Sequence, residues 1–302
     1  MNLIVFGAGA SYGSDTSNVP PLGNNLFDAL VEFDPENWSR LPREIQELLR
    51  RDFEQGMQKL YIEHSTWLPP LQRSMARFFF NFVPKPNNLY VRIAKLIKQS
   101  CWNLEGALVT FNYERLLPIA LECAGIQPIV LPLPSEIQCN SIELCLPHGI
   151  CNLFISGIQA RNITFSSGII FDGGKPQCIV NPLEFQERIT KDSIPPIMSY
   201  FVPEKINPSG YTFIIKNRER YKELVLKADK IAIIGLKVRP HDKHIWDPLS
   251  ETDAPIIYCS GKWAGSEFLA WCKQKRVGKI NKVLDGYFSD HFTEICQEIG
   301  IG

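Results

Sequence analysis

Six short apolar runs constrain this chain more than any other feature of its sequence. They fall at residues 2–6, 107–111, 129–131, 142–146, 231–235 and 255–259. Continuous apolar runs of this length, without polar alternation, are the pattern of strands buried on both faces. Between them lie segments with helical periodicity. Residues 22–33 place Leu26, Phe27, Leu30 and Val31 on one face, and 114–123, 217–227, 268–275 and 288–299 read the same way, with a further strand at 280–284. Strands alternating with amphipathic helices predict an α/β fold, a parallel sheet with helices on both faces. Two stretches interrupt the alternation. Residues 41–101 are helical but broken at Pro69-Pro70 and again at Val83-Pro84-Lys85-Pro86, which predicts a helical insertion over 36–103. Residues 150–215 are β-rich and punctuated by glycine at first, and form a second insertion, either a hairpin layer or a long loop. The 302 residues read as one domain, 1–302, carrying both insertions.

Three of the strand ends carry residues with chemical potential. The first run leads into Gly7-Ala8-Gly9-Ala10-Ser11. A strand ending in Gly-x-Gly and turning toward a helix lets backbone amides approach a pyrophosphate, because no Cβ stands in the way. This marks the sheet as Rossmann-like, although a plain glycine turn explains the same residues. The dinucleotide spacing of dehydrogenases is not met, since Tyr12 stands where the third glycine would fall, and the lysine of a P-loop is missing. The second run ends in Thr110-Phe111-Asn112-Tyr113-Glu114. Ligands of open α/β sheets bind outside the carboxyl ends of strands, so Asn112 is a candidate contact; alternatively Asn112 or Thr110 caps the helix near Glu114. The 142–146 run is followed by Pro147-His148-Gly149. A histidine there can serve as a base near neutral pH, or can be a hydrogen-bonded loop residue.

Composition excludes several function classes. Lys+Arg and Asp+Glu are 32 each, so no global field draws in nucleic acid or an anionic surface, and neither direct nucleic-acid binding nor a membrane role is expected. No apolar run approaches the roughly 20 residues that span a bilayer. The apolar start, Met1 to Phe6, lacks a basic flank and reads as a buried strand, not a signal peptide. The nine cysteines include no Cys-x-x-Cys pair, which points to reduced thiols and a cytoplasmic setting and gives no zinc-ribbon spacing. His241, Asp242 and His244 lie close in sequence, and a helical turn would put His241 and His244 at i, i+3, but no third ligand to join the two histidines is evident, so no metal is expected; Asp242 reads as a helix start or a ribose contact. The Phe78-Phe79-Phe80 run with Phe82 reads as core or as an oligomer interface.

Taken together, Gly-Ala-Gly-x-Ser at Gly7 to Ser11, Thr-x-Asn at Thr110 to Asn112 and His-Gly at His148-Gly149, in that chain order, resemble the sirtuin superfamily. The Pro20-Pro21-Leu22-Gly23 turn, and Ile233-Ile234-Gly235-Leu236-Lys237 running on to Asp242-Lys243-His244-Ile245, are similar to its bacterial sirtuin-like branch. The resemblance touches residues 3–30, 107–122, 144–149 and 229–246. It implies NAD as substrate, with Gly7, Ala8, Gly9, Ser11, Thr110, Gly235, Asp242 and Ser260 as contacts. Asn112 and His148 become the catalytic pair, Asn112 placing ribose and water and His148 acting as base, with no metal required. Departures are Glu114 where the family carries Asp, Leu236-Lys237 in place of small hydroxyl residues, and Cys259-Ser260 where an asparagine is usual. Lys237 or Arg239 would meet a phosphate or be solvated. Without a four-cysteine ribbon the resemblance implies an NAD hydrolase that releases nicotinamide and ADP-ribose. It implies a defence effector that depletes NAD on infection, working as a homo-oligomer or with a defence-system partner. The alternative is a non-catalytic subunit that binds NAD or an ADP-ribose-type nucleotide and regulates a partner.

Overall fold

The computed structural model describes residues 1–134, 138–158, 163–165, 169–191, 194–199 and 209–301. The first strand, β1 (Asn2–Phe6), runs directly into the short helix α1 (Ala8–Tyr12). Five helices follow: α2 (Gly23–Phe33), α3 (Pro35–Trp38), α4 (Arg43–Arg51), α5 (Phe53–Glu63) and α6 (Leu68–Phe80). Pro69 and Pro70 sit in the first turn of α6, where a missing N–H costs no helical hydrogen bond. The Val83 to Pro86 break separates α6 from α7 (Leu89–Ser100). Next come β2 (Gly106–Thr110), α8 (Leu116–Cys123), β3 (Gln127–Ile129) and β4 (Ser141–Cys145). The 150–215 stretch holds β5 (Leu153–Ser156), β6 (Ile163–Phe165), β7 (Ile169–Phe171) and β8 (Lys175–Cys178), and then a helix, α9 (Pro182–Lys191), that the glycine-punctuated pattern hid. The chain closes with α10 (Tyr211–Lys227), β9 (Lys230–Ile234), α11 (Lys243–Glu251), β10 (Ile256–Cys259), α12 (Ala264–Lys275), β11 (Asn281–Val283) and α13 (Phe292–Glu298).

Among the described residues, seven strands form one parallel sheet in the order β11-β10-β9-β1-β2-β4-β3. From β1 the chain winds one way through β2, and it later returns to the other side of β1 through β9. The order therefore reverses at β1, the point where open sheets of this kind leave a crevice. Register keeps the strand ends level there: Phe6 pairs with Thr110 on one side and with Ile234 on the other, and Ile234 pairs with Cys259.

The period of two along a strand decides which side each residue covers. Ile4, Phe6 and Leu108 pack under α7, α8 and α13, whereas Leu3, Val5, Ala107 and Val109 pack under α10, α11 and α12. Both faces are dry, which is why the strands read as unbroken apolar runs. A separate core joins α2 to α6 with Tyr113, Cys151, Phe154 and residues of α9. The phenylalanine run belongs to this second core. Phe79 and Phe80 are buried, and Phe80 stacks on Phe185 of α9 at 3.7 Å between ring centroids. Among the described residues, no helix is long and apolar enough to cross a membrane.

Candidate functional site

The glycine turn at the end of β1 is shaped first by its neighbour strand. Gly7 donates to the Ile234 carbonyl at 2.9 Å and Gly9 to the Gly235 carbonyl at 2.8 Å. Gly235 has a φ of +69°, and a Cβ there would stand 1.8 Å from the Ala10 nitrogen; one on Gly7 would stand 2.6 Å from the Gly235 carbonyl oxygen. The backbones of the two strand ends touch, so side chains are excluded at both. The helix then starts at once, with Gly7 as its N-cap, in place of a free loop. Gly9 and Ala10 spend their amides inside the protein, while Ala8 between them and the strand is exposed.

Behind this turn lies a buried polar network. Ser11 is fully enclosed; its hydroxyl donates to Glu114 Oε1 at 2.5 Å and lies 2.9 Å from the Tyr90 hydroxyl. Glu114 also accepts from the Leu116 amide and so caps α8, the task that Asn112 or Thr110 was a candidate for. Burial pushes the Glu114 carboxyl up, against the lowering effect of its hydrogen bonds from Ser11 and Leu116. Asn112 uses its side-chain amide to reach across to β1. It donates to the Gly7 carbonyl at 3.1 Å and to Ser11 Oγ at 2.8 Å, and its backbone amide donates to Thr110 Oγ1 at 3.1 Å. The side-chain carbonyl oxygen of Asn112 is buried and has no hydrogen-bond partner among the described residues. A pinned amide with an idle acceptor costs free energy unless a donor arrives. Tyr90, from α7, has no motif to announce it, so only the structure shows its part here.

His148 follows β4. Its approach is fixed by Asn217 on α10, whose side-chain oxygen accepts from the Leu146 amide at 2.9 Å. Helix α10 is itself tied to β4 by a two-pronged Arg220–Glu143 pair at 2.6 and 2.9 Å. Beyond the histidine, Ser199 donates to the His148 carbonyl at 2.8 Å. Gly149 is glycine because its φ is +72° and a Cβ would lie 2.0 Å from the Ile197 carbonyl oxygen. The His148 ring lies edge-on to Phe111 and nearly parallel to Tyr113. Its Nε2 is 2.8 Å from Nε2 of His244, on the first turn of α11. Burial lowers the His148 pKa well below its usual value, with the neighbouring His244 adding to the effect, and burial with Arg218 takes His244 down to about 3. The pair is therefore neutral at physiological pH.

The remaining candidates lie around the same edge. Asp242 is the residue before α11 but makes no capping bond; burial, followed by the Glu54 charge, lifts its pKa to about 6. Lys237 pairs with Glu267 at 3.3 Å, and Arg239 pairs with Glu54 of α5. His241 is drawn to Glu54 as well, at 3.3 Å. Glu54, His241 and Asp242 do bring three potential ligand atoms within 4.8 Å of one another. The Arg239 guanidinium already neutralises Glu54 in that group. Ser260 follows β10, beside Tyr258, whose hydroxyl donates to the Leu236 carbonyl at 2.8 Å.

No family model matches the sequence, and no curated protein matches it. Solved structures do. A Sir2 homologue carrying a histidine-to-asparagine mutation, in complex with ADP-ribose, superposes with a TM-score of 0.50 at 12% identity, over 99% of this chain and 92% of the other. The chain has the sirtuin fold. A second Sir2 structure matches at a TM-score of 0.48 and 12% identity, over 99% of this chain and 92% of that one. A third, Sir2 bound to an inhibitor, 2′-O-acetyl-ADP-ribose and a deacetylated p53 peptide, gives 0.46 and 14% identity, over 100% of this chain and 95% of that one.

Proposed function

We propose that this sirtuin-fold chain binds NAD in the crevice outside β1, β2, β4 and β9 and hydrolyses the bond between nicotinamide and ribose. The observation that carries the reading is the idle, buried carbonyl oxygen of Asn112. Its partner amide is fixed on Gly7 and Ser11, so the oxygen presents one acceptor in one orientation, which suits a ribose hydroxyl or an ordered water. Exposed Ala8, beside Gly7 and Gly9 at the switch point, supports a phosphate approach. Support for the ligand class comes from the Sir2 homologue of the same fold, which was solved with ADP-ribose. Nicotinamide in NAD leaves as a neutral ring, so a site that orients ribose and supplies a nucleophile with a proton acceptor is sufficient. The paired neutral imidazoles of His148 and His244 supply that acceptor. Thr110, Gly235, Asp242 and Ser260 line the same edge as further contacts in this reading. The setting implied by the sequence, depletion of NAD in antiviral defence by an oligomer or a partnered assembly, belongs to the proposal and rests on the resemblance.

The test is incubation of purified protein with NAD, followed by chromatography for nicotinamide and ADP-ribose. Equal release of both products is expected. Asn112→Ala loses the acceptor, and its turnover is expected to fall by at least about 100-fold, the scale of one lost transition-state contact. Calorimetry on wild type and variant reads binding separately. Tight binding without turnover, alone or in an assembly, replaces the enzyme by a nucleotide-binding regulator. No turnover and no difference in NAD binding between wild type and Asn112→Ala overturns the site.

A further inference from the structure

His148, the residue that the sequence offers as base, has little to offer a substrate directly. Its Nε2 is engaged with His244 at 2.8 Å, and its other side is hydrogen-bonded to the Phe111 backbone. A carbonyl can only accept, so the Phe111 bond holds a proton on His148 Nδ1 and leaves Nε2 as the lone pair. Two neutral imidazoles sharing a nitrogen–nitrogen contact need one donor, which makes His244 the Nε2–H tautomer. The remaining lone pair of the pair is then His244 Nδ1. That atom is buried and without a partner among the described residues. Among the described residues, two further charged or titratable groups act on this ring: Arg218 from α10 and His241 from the turn before α11. Phe111 lies edge-on to the His244 ring, and Tyr113 lies against His148. Burial and Arg218 oppose a positive charge on either ring, but only His148 has a backbone partner, Phe111, that favours its protonated form, so a proton taken up at His244 has a reason to move on to His148.

We propose that His148 and His244 form a two-ring proton relay, with His244 Nδ1 as the atom that accepts the proton and His148 as the ring that stores it. The inference rests on the hydrolytic reading above and deepens it. Water attacks the ribose carbon, the carbon–nitrogen bond breaks, and its electron pair leaves with nicotinamide. The proton lost by the water forms a bond to His244 Nδ1, while the His244 Nε2–H bond breaks and that proton passes to His148 Nε2. His244 ends as the other neutral tautomer, and His148 ends as the imidazolium, one positive charge replacing the one lost from the pyridinium. The stored proton goes to solvent when the products leave. His148 is thus a positioning and storing residue, and His244 is the group facing the reacting atoms.

The experiment has two arms on the full chain. The first is nitrogen NMR of the imidazoles in wild-type protein without ligand. It is expected to show His148 protonated at Nδ1 and His244 at Nε2; a His244 ring protonated at Nδ1 overturns the relay. The second is NAD turnover by His244→Gln and His148→Gln, with kcat and KM measured separately. Glutamine at position 244 can still donate to His148 but cannot pass a proton. Its kcat is expected to fall by about 100-fold or more, at least as far as that of His148→Gln, with KM for NAD nearly unchanged. Should His244→Gln not fold, His244→Ala with added imidazole is the substitute, and turnover restored by imidazole is the expected result. A loss below about tenfold in His244→Gln, or no imidazole rescue of a folded His244→Ala, overturns the relay while wild-type turnover keeps the hydrolytic reading. Wild-type protein that shows the tautomers but releases no nicotinamide overturns the hydrolytic reading, and the relay falls with it.

Discussion

Asp242 carries a carboxyl at a helix start without using it as a cap, and burial lifts its pKa from 3.8 to about 6. A carboxyl whose folded pKa is raised contributes fully to stability below its unfolded value and loses that contribution as pH rises through the folded value. Asp242 therefore favours the folded state below pH 3.8 and opposes it above about pH 6. Asp242→Asn removes the ionisation. It is expected to raise stability at pH 8 by about 1–3 kcal/mol and to change little at pH near 4. Thermal melts of both proteins at the two pH values read the difference, and equal gains at both values would show that charge burial is not the cause. A residue kept at such a cost belongs where a ligand uses it, so the stabler variant should bind NAD more weakly. The sequence marks Asp242 as a helix start or ribose contact but carries no sign of its burial. Two of the charges that act on it, Glu54 of α5 and Arg218 of α10, lie well apart from it along the chain.

The same limit holds for whole elements. The central strands β1, β2, β9 and β10 were legible because both faces of the sheet are covered there and the apolar runs are unbroken. Edges moved where packing, not polarity, decides them: β3 spans Gln127–Ile129, two residues before the apolar run at 129–131. The helix at 182–191 was missed because its apolar residues, Phe185 and Ile189, are few and the stretch before it is strand-like. The glycine turn was read as a phosphate cradle, yet its tightest contact is with Gly235, a residue more than 200 positions along the chain. Gly235→Ala tests how β9 supports that turn. The substitution meets a left-handed φ and a contact that a Cβ cannot share with Ala10. It is expected to cost about 2–4 kcal/mol and to displace the turn, so that NAD binding falls further than stability does. Denaturant unfolding and calorimetry measure the two. A stable variant with unaltered binding would show that the contact between β1 and β9 is not needed for the pocket.

At the scale of the molecule, two halves meet at the strand ends. The sheet supplies Gly7, Asn112 and His148. The α2–α6 core leans in through Tyr113 and reaches the far rim through Glu54, which pairs with Arg239 and His241. No spacing rule connects residue 54 to 239, or 148 to 244, so the polar joints of the site were invisible in the sequence even though its motifs were not. The joint between His148 and His244 has a cost that can be measured on the whole fold. Both folded pKa values lie below the ordinary histidine value of 6.5, and that of His244 is about 3. Unfolding frees both rings to take protons, so the unfolded state binds more of them below pH 6.5, and stability falls with pH there. Above that value the rings are neutral in both states and the effect vanishes. Other groups titrate in the same range, so the informative quantity is a difference between proteins. His148→Phe/His244→Phe keeps two aromatic rings in the space and removes both titrations. Its stability relative to wild type is expected to grow as pH falls from 6.5 toward 5, with a slope of up to about 2.7 kcal/mol per pH unit for two rings. Unfolding in denaturant across that range gives the slope. A difference that stays flat with pH would mean that the folded protein protonates the pair freely, and an imidazole that is already charged cannot accept a proton as the proposed hydrolysis requires.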